Sequence, residues 1–441
     1  MSADSKVPAE SSNRLAFVFY LVFIVSWFLH LGARAPVLGA IRFDVWLLLF
    51  MTLLSIGAGR RDSDTAPQES GRWLLIVVAY ALLTVPLVEW PGSVLSYGLG
   101  AFLKAALYYF FTTRLVTSSK RLAWLLGVFL ACQMFRVIEP VYLHVTEGYW
   151  GSRASMADWE SMDRLAGAPL DVINPNGLAF VVVTALAFIH FLGPLTKIGT
   201  IVYALFLPAA FYALALTASR TGLLAVAIVG AGIWLKSRRK LVATAAMVGA
   251  VFVAVPLFSD NLRDRYLSIL SSETKNAATA SERTEGIRVG IEVAMRRPLF
   301  GHGLGTSREA NANFGIADQP AHNLYVEVMQ ELGLIGVVLY LGFLRALVVD
   351  IRRTTRAVKT DGPATLVTRT MDALHLWLIM NLAFSVASFG LSGYEWYLMA
   401  GLSAAVARLC AASAERRDAL AGVNLTSIDR PPAFVPSLAG G

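Results

Sequence analysis

The stretch Ala321-His322-Asn323-Leu324-Tyr325-Val326-Glu327-Val328-Met329-Gln330-Glu331-Leu332-Gly333-Leu334-Ile335-Gly336 decides how this chain is read. It starts at the end of a long polar segment, roughly 259–320, and runs straight into an apolar helix that continues to about residue 349. One histidine, His322, stands at that junction. Outward from it, apolar runs of about 17–25 residues with little or no charge recur along the whole chain, the length that crosses a ~30 Å hydrocarbon layer. Of the 441 residues, 56% are hydrophobic and only 15% are charged, with a mean hydropathy of +0.59. A soluble globular surface of this size needs more charge, so that class is excluded. The expected fold is an all-α polytopic membrane protein of about twelve transmembrane helices.

Spans are expected near 15–32, 43–58, 73–89, 97–116, 121–140, 176–194, 199–217, 221–236, 241–258, 322–349, 370–388 and 393–411. The first has no small-residue cleavage site and reads as a retained span. Basic clusters then fall on one side: Arg60, Arg61 and Arg72; Arg114, Lys120 and Arg121; Lys236, Arg238, Arg239 and Lys240; Arg352, Arg353, Arg356 and Lys359. The positive-inside rule puts that side, with both termini, in the cytoplasm. The same rule explains the net charge of +8, so membrane lipids are expected partners and nucleic acid is not. The chain divides into spans one to nine (1–258), a large outer loop (259–321), spans ten to twelve (322–411) and a cytoplasmic tail (412–441), unstructured from about Ala419. The outer segments 140–175 and 259–321 are too long to be turns. The second carries a helix signal, the capping-box spacing from Thr279 to Glu282, and ends at Pro298 and the glycines Gly301, Gly303 and Gly305. A small, partly helical cap is expected there.

Cys132 and Cys410 lie in spans without metal-ligand spacing, so neither a disulfide nor redox chemistry is expected. No HExxH, clustered His/Asp set or GxSxG elbow occurs, and Asp158, Glu160 and Asp163 read as a solvated loop face. No metal and no cofactor is expected. Gly301-His302-Gly303-Leu304-Gly305 lacks a preceding strand and reads as a flexible turn with His302 exposed.

The chemistry-bearing candidates are few. Arg220, in the tight turn Ser219-Arg220-Thr221-Gly222 between spans seven and eight, either reaches lipid headgroups or a loop carboxylate, or forms a fixed fork for phosphate oxygens. Arg263, Arg265, Arg283, Arg288, Arg296, Arg297 and Arg308 populate the large loop, mostly as solvated charges. Arg288 is four residues from Glu292, the spacing of a surface ion pair. Arg283 is five before Arg288, so on one helix the two point about 140° apart. Within spans, Lys104 has no local partner, while Arg136 and Glu139 are three apart and can satisfy each other. His322 is either a packing residue or a proton acceptor, since an imidazole ordinarily titrates near 6.5.

Taken together, Asn174-Pro175-Asn176-Gly177, Ser219-Arg220-Thr221-Gly222, the stretch from Arg283 to Pro298-Leu299-Phe300-Gly301-x-Gly303, and His322-Asn323-Leu324-Tyr325 followed by Glu331-x-Gly333-Leu334-x-Gly336 resemble the O-antigen ligase family, which also takes in O-antigen polymerases and protein O-oligosaccharyltransferases. The resemblance runs from about Asn174 to Leu347. Ile287 departs from it, where many relatives carry a tryptophan. What the resemblance implies is a GT-C-like, metal-independent, inverting transfer of glycan from undecaprenyl diphosphate to lipid A-core on the periplasmic face of the bacterial inner membrane. It further implies Arg220 and Arg283 on the diphosphate, Arg288, Arg265 and Lys104 as weaker additions, and His322 as general base. The alternatives are an O-antigen polymerase, a protein O-oligosaccharyltransferase and, from another class, an anionic-lipid transporter working around Lys104 and Arg136. Against transport stand the absence of an inverted repeat and the concentration of charge away from the membrane midplane.

Overall fold

A computed structural model describes residues 6–57, 68–151, 164–237, 239–241, 244–245, 248–249, 278–315, 321–359, 365–388 and 390–428, side chains excepted at 6–12, 278–284, 359 and 416–428. These residues fold into helices, with no strand among them. In chain order the principal elements are α1 (Lys6–Leu29), α2 (Phe43–Gly57), α3 (Glu69–Leu83), α4 (Leu99–Leu115), α5 (Ser119–Glu147), α6 (Pro175–Leu192), α7 (Lys197–Thr217), α8 (Arg220–Lys236), α9 (Ala278–Ala294), α10 (Ser307–Phe314), α11 (Leu324–Lys359), α12 (Leu366–Phe384) and α13 (Tyr394–Ile428).

Among the described residues six helices are long and apolar enough to cross a membrane: Pro91–Leu115, Ser119–Glu147, Pro175–Leu195, Lys197–Thr217, Leu324–Val358 and Tyr394–Glu415. Asn13–Leu29 and Phe43–Ile56 are apolar but shorter. α3, α8 and α12 fall on three further expected spans, and the expected span 241–258 lies almost wholly outside the described residues. The molecule is a multi-pass membrane protein. Several boundaries differ from the sequence reading, α1 starting at Lys6 and α11 running on to Lys359 among them. α5 continues through Pro140 to Glu147, where Gly148 at φ 69° closes it, and α13 passes Ala419 to reach Ile428. The alanine-rich run after Cys410 has the propensity to carry a helix onward without a membrane around it.

The helix starts are written locally. Ser118, Asn174, Thr196, Ser219 and Thr365 each accept a hydrogen bond from a first-turn N–H, as N-caps do. In hydrocarbon there is little hydrophobic force between helices, so shape and polar contacts hold the bundle. Its middle is an aromatic cluster: Tyr394 meets Phe28 edge-on at 4.7 Å, Phe129 meets Phe188 at 5.3 Å, and Trp377 meets Phe188 at 5.2 Å. Such pairs contribute about 0.5–1.5 kcal/mol each beyond their buried area. Both cysteines are free thiols.

The two ends of the bundle differ. At one end Arg114 donates to Ser55 O, Arg353 pairs with Glu69 at 2.9 Å, and Lys236 pairs with Asp372 at 2.5 Å. At the other end lie the starts of α6, α8 and α11, the end of α12, and the loops that join them.

Candidate active site

Two loop joints build this second end. In the first, the stretch before α6 packs under the turn between α7 and α8. Arg164, almost fully buried, donates from Nε to Thr217 O at 2.9 Å and from Nη2 to Asn176 Oδ1 at 3.0 Å. Asn176 Oδ1 also accepts from Ser219 Oγ at 2.8 Å, and Ser219 Oγ accepts from Gly222 N at 3.0 Å. Asn174 caps α6 through Gly177 N at 2.9 Å. A Cβ on Gly222 would lie 2.5 Å from the Ala179 Cβ, so α6 and α8 touch there. Ala218 adopts φ 46°, a left-handed conformation costly for alanine, to turn the chain within two residues. That turn presents Arg220, half-buried, as the first residue of α8.

In the second joint, α11 breaks at Gly333, where φ is 69° and ψ −174°. A break within a span strands backbone groups that lipid cannot satisfy, so protein must replace the lost bonds. The segment 298–303 does so: Pro298 O accepts from Leu334 N at 2.7 Å, His302 N donates to Gln330 O at 2.7 Å, and Gly303 N donates to Glu331 O at 3.1 Å. Tyr80 Oη donates to Leu332 O at 2.8 Å. The approach is backbone on backbone. A Cβ on Gly333 would sit 2.3 Å from Leu299 O, and one on Gly301 2.5 Å from the Glu331 carbonyl carbon. Glu331, nearly fully buried, then accepts from Gly305 N at 2.7 Å and Ser307 N at 3.3 Å. One turn earlier Glu327 accepts from Gly390 N at 2.7 Å and Leu391 N at 3.0 Å.

The glycine segment is thus no flexible turn, and His302 is not exposed. It is fully buried, with Nδ1 2.6 Å from Glu89 Oε2 and Nε2 2.9 Å from Val293 O, and it packs against the rings of Trp90 and Phe314, which also touch each other. Glycines mark sharp turns, but here they mark close approach, which the sequence alone does not separate.

His322 lies exposed just before α11. Its neighbour Asn323 caps that helix, Oδ1 accepting from Tyr325 N and Val326 N, while Nδ2 donates to Val386 O at 2.9 Å. Leu324 N donates to Ser385 O at 2.9 Å. The Phe384 ring packs 4.7 Å from that of Phe180, one turn beyond Asn176. A continuous set of contacts therefore joins the Arg220 turn, the start of α6, the end of α12 and His322 at one end of the bundle.

The other candidates are placed as follows. Position 283 is on α9, its side chain outside the described residues, and Arg265 lies outside them altogether, as do Asp158, Glu160 and Asp163. Arg288 forks between Glu285 and Glu292, both at 2.5 Å, and this contact holds the Glu285 carboxyl below its usual range. Lys104 has a partner after all: Asp44, 60 positions earlier, at 3.4 Å. Arg136 and Glu139 do not satisfy each other. Arg136 grips buried Asp171 with two bonds of 2.6 and 3.0 Å, and Glu139 pairs with Arg34. Helical spacing permits the local pair, but the fold brings Asp171 to Arg136 and Arg34 to Glu139 in bidentate geometry.

The described residues thus form an all-helical, multi-pass membrane bundle with buried polar joints and with Arg220 and His322 toward one end. Residues 203–341 match the family model for O-antigen ligase, a match that supports the O-antigen ligase superfamily and, in general terms, a glycosyltransferase-like enzyme. Arg220, Arg283 and His322 all fall inside it. The match does not separate ligation from polymerisation. Among curated proteins none matches the chain.

Proposed function

We propose that the protein transfers a glycan from undecaprenyl diphosphate to lipid A-core on the periplasmic face of the inner membrane, with inversion at the anomeric carbon. The observation that carries this reading is the convergence of exposed His322 and the Arg220 turn on one end of the bundle, inside the segment that matches the family. Negative charge builds on the diphosphate as the glycosidic C–O bond breaks. Arginines fixed at a poorly hydrated boundary stabilise it without reorganising. Arg220 is fixed by the capped turn and matches two phosphate oxygens at once, and Arg283 is its partner in this reading. Arg288 and Lys104 already face carboxylates and are secondary. The acceptor hydroxyl is a weak nucleophile. His322 takes its proton as the new C–O bond forms, a contribution of about 10²–10⁴-fold. The basic opposite end of the bundle is then cytoplasmic.

The second reading, extension of a lipid-linked glycan by the same donor, differs only in acceptor. Purified protein given undecaprenyl-diphosphate glycan, with or without lipid A-core and in the presence of a chelator, separates them. Glycan on lipid A-core alone supports the ligase. Lengthened lipid-linked glycan without that acceptor replaces it with the polymerase, and a requirement for metal overturns both assignments of the chemistry.

A further inference from the structure

α9 and α11 meet at one point of unusual closeness. A Cβ on Gly290 would lie 2.7 Å from Val326 Cγ1 and 3.4 Å from Gln330 Nε2, against the 3.4–4 Å of ordinary contact. Gln330 is fully buried, and its Nε2 donates to Gly290 O at 3.1 Å and to Asn311 Oδ1 at 2.7 Å. One side chain on α11 thus ties down both α9 and α10. Its Oε1 is buried without a hydrogen-bond partner among the described residues. A buried acceptor left unpaired opposes stability, so holding the helices at a set distance accounts for this residue better than stability alone.

The register gives that distance a meaning. Position 283 precedes Gly290 by seven residues, two turns, and so shares its face of α9 to within about 20°. Gly290 meets Val326 and Gln330, while Pro298, further along, bonds to Leu334. Val293, near the end of α9, has its carbonyl 2.9 Å from His302 Nε2, and His302 N donates to Gln330 O, so the end of α9 also lies beside α11 near residue 330. A step of about 10 Å back from Gly290 along α9 reaches position 283, and on the other side His322 stands four residues before Val326, just ahead of the first residue of α11.

We propose that Gly290 and Gln330 form a spacer that sets the separation between position 283 and His322, and that both are positioning residues for transfer. This rests on the reading above, in which Arg283 holds the diphosphate and His322 takes the acceptor proton. A displacement of about 1 Å between reacting groups can lower a rate by about 10²-fold.

The test is a compensation experiment in the reconstituted transfer assay. Gly290→Ala is expected to lower kcat by about 10²-fold with the acceptor KM little changed. Gly290→Ala combined with Val326→Ala removes the atom that the new methyl group meets, and is expected to recover most of the lost kcat. A thermal melt accompanies each variant; if the single variant does not fold, the double variant still reports, since recovered folding and rate support the spacer. Wild-type kcat in Gly290→Ala, or a double variant as impaired as the single one, overturns the proposal. Arg283→Ala keeps the two levels apart. If it transfers normally, the diphosphate reading itself falls. If it is inactive while Gly290→Ala is normal, only the spacer falls.

Discussion

At the joint between 298–307 and the broken helix α11, main chain meets main chain, and glycine is what permits it. At the joint beneath the α7–α8 turn, polar side chains make the contacts, with Asn176 Oδ1 receiving both the Arg164 guanidinium and the Ser219 hydroxyl. Both joints solve one problem, irregular backbone next to hydrocarbon, where every polar group needs a protein partner. They solve it with opposite sensitivities: the first tolerates no added atom, and the second no removed one. The first fixes the helix that His322 precedes, and the second fixes the turn that presents Arg220.

Adding an atom to the first joint should do the most damage. Gly333→Ala forces a Cβ to 2.3 Å from Leu299 O at a positive φ, so destabilisation of at least about 3 kcal/mol and loss of monodisperse protein on size-exclusion chromatography are expected. A normal melting profile would mean that the glycine joint yields more easily than its geometry allows. At the second joint, Asn176→Ala takes an acceptor from a buried guanidinium and should cost about 1–3 kcal/mol in denaturant or thermal unfolding. Asn176→Asp keeps the acceptor and should recover most of it, an outcome that simple packing at this position would not give. Ser219→Ala removes the cap of α8 and should cost about 1 kcal/mol. Because the cap orients the turn holding Arg220, it should also weaken donor binding, read as a rise in donor KM. Arg288→Ala lies outside both joints and is expected to leave the melting temperature unchanged, since its two ion pairs are exposed.

The same contrast explains how much was legible in the sequence. The membrane class, most of the spans and the tight turn that opens α8 are legible in hydropathy and local sequence, because those are encoded within a few residues, whereas the capping-box spacing at Thr279 falls inside α9, already helical at Ala278. The second joint was half visible: Asn174, Asn176 and Ser219 stand in recognisable turns, but Arg164 looks like any loop arginine until the fold buries it. The glycine joint is hidden: Gly301-His302-Gly303 reads as a flexible turn, because nothing local shows that Gln330 and Glu331 offer carbonyls to it. Glu327 and Glu331 did carry a signal, as ionisable groups inside an expected span. Their partners, the N–H groups of 305, 307, 390 and 391, lie 24 to 64 positions away. The partners of Lys104 and Arg136 are hidden for the same reason: Asp44 stands in the first turn of α2, 60 positions away, and Asp171 in the stretch before α6, 35 positions away.

Single-turnover transfer by reconstituted His322→Ala, with Arg220→Lys alongside, tests the role of this end of the bundle most directly. His322→Ala should bind the undecaprenyl-diphosphate donor as the wild type does and transfer about 10²–10⁴-fold more slowly. Arg220→Lys should lose donor affinity and rate together, because a point charge does not replace a two-pronged fork. Transfer by folded His322→Ala at the wild-type rate between about pH 6 and 8, the range where an ordinary imidazole changes charge, would contradict the assignment of the base.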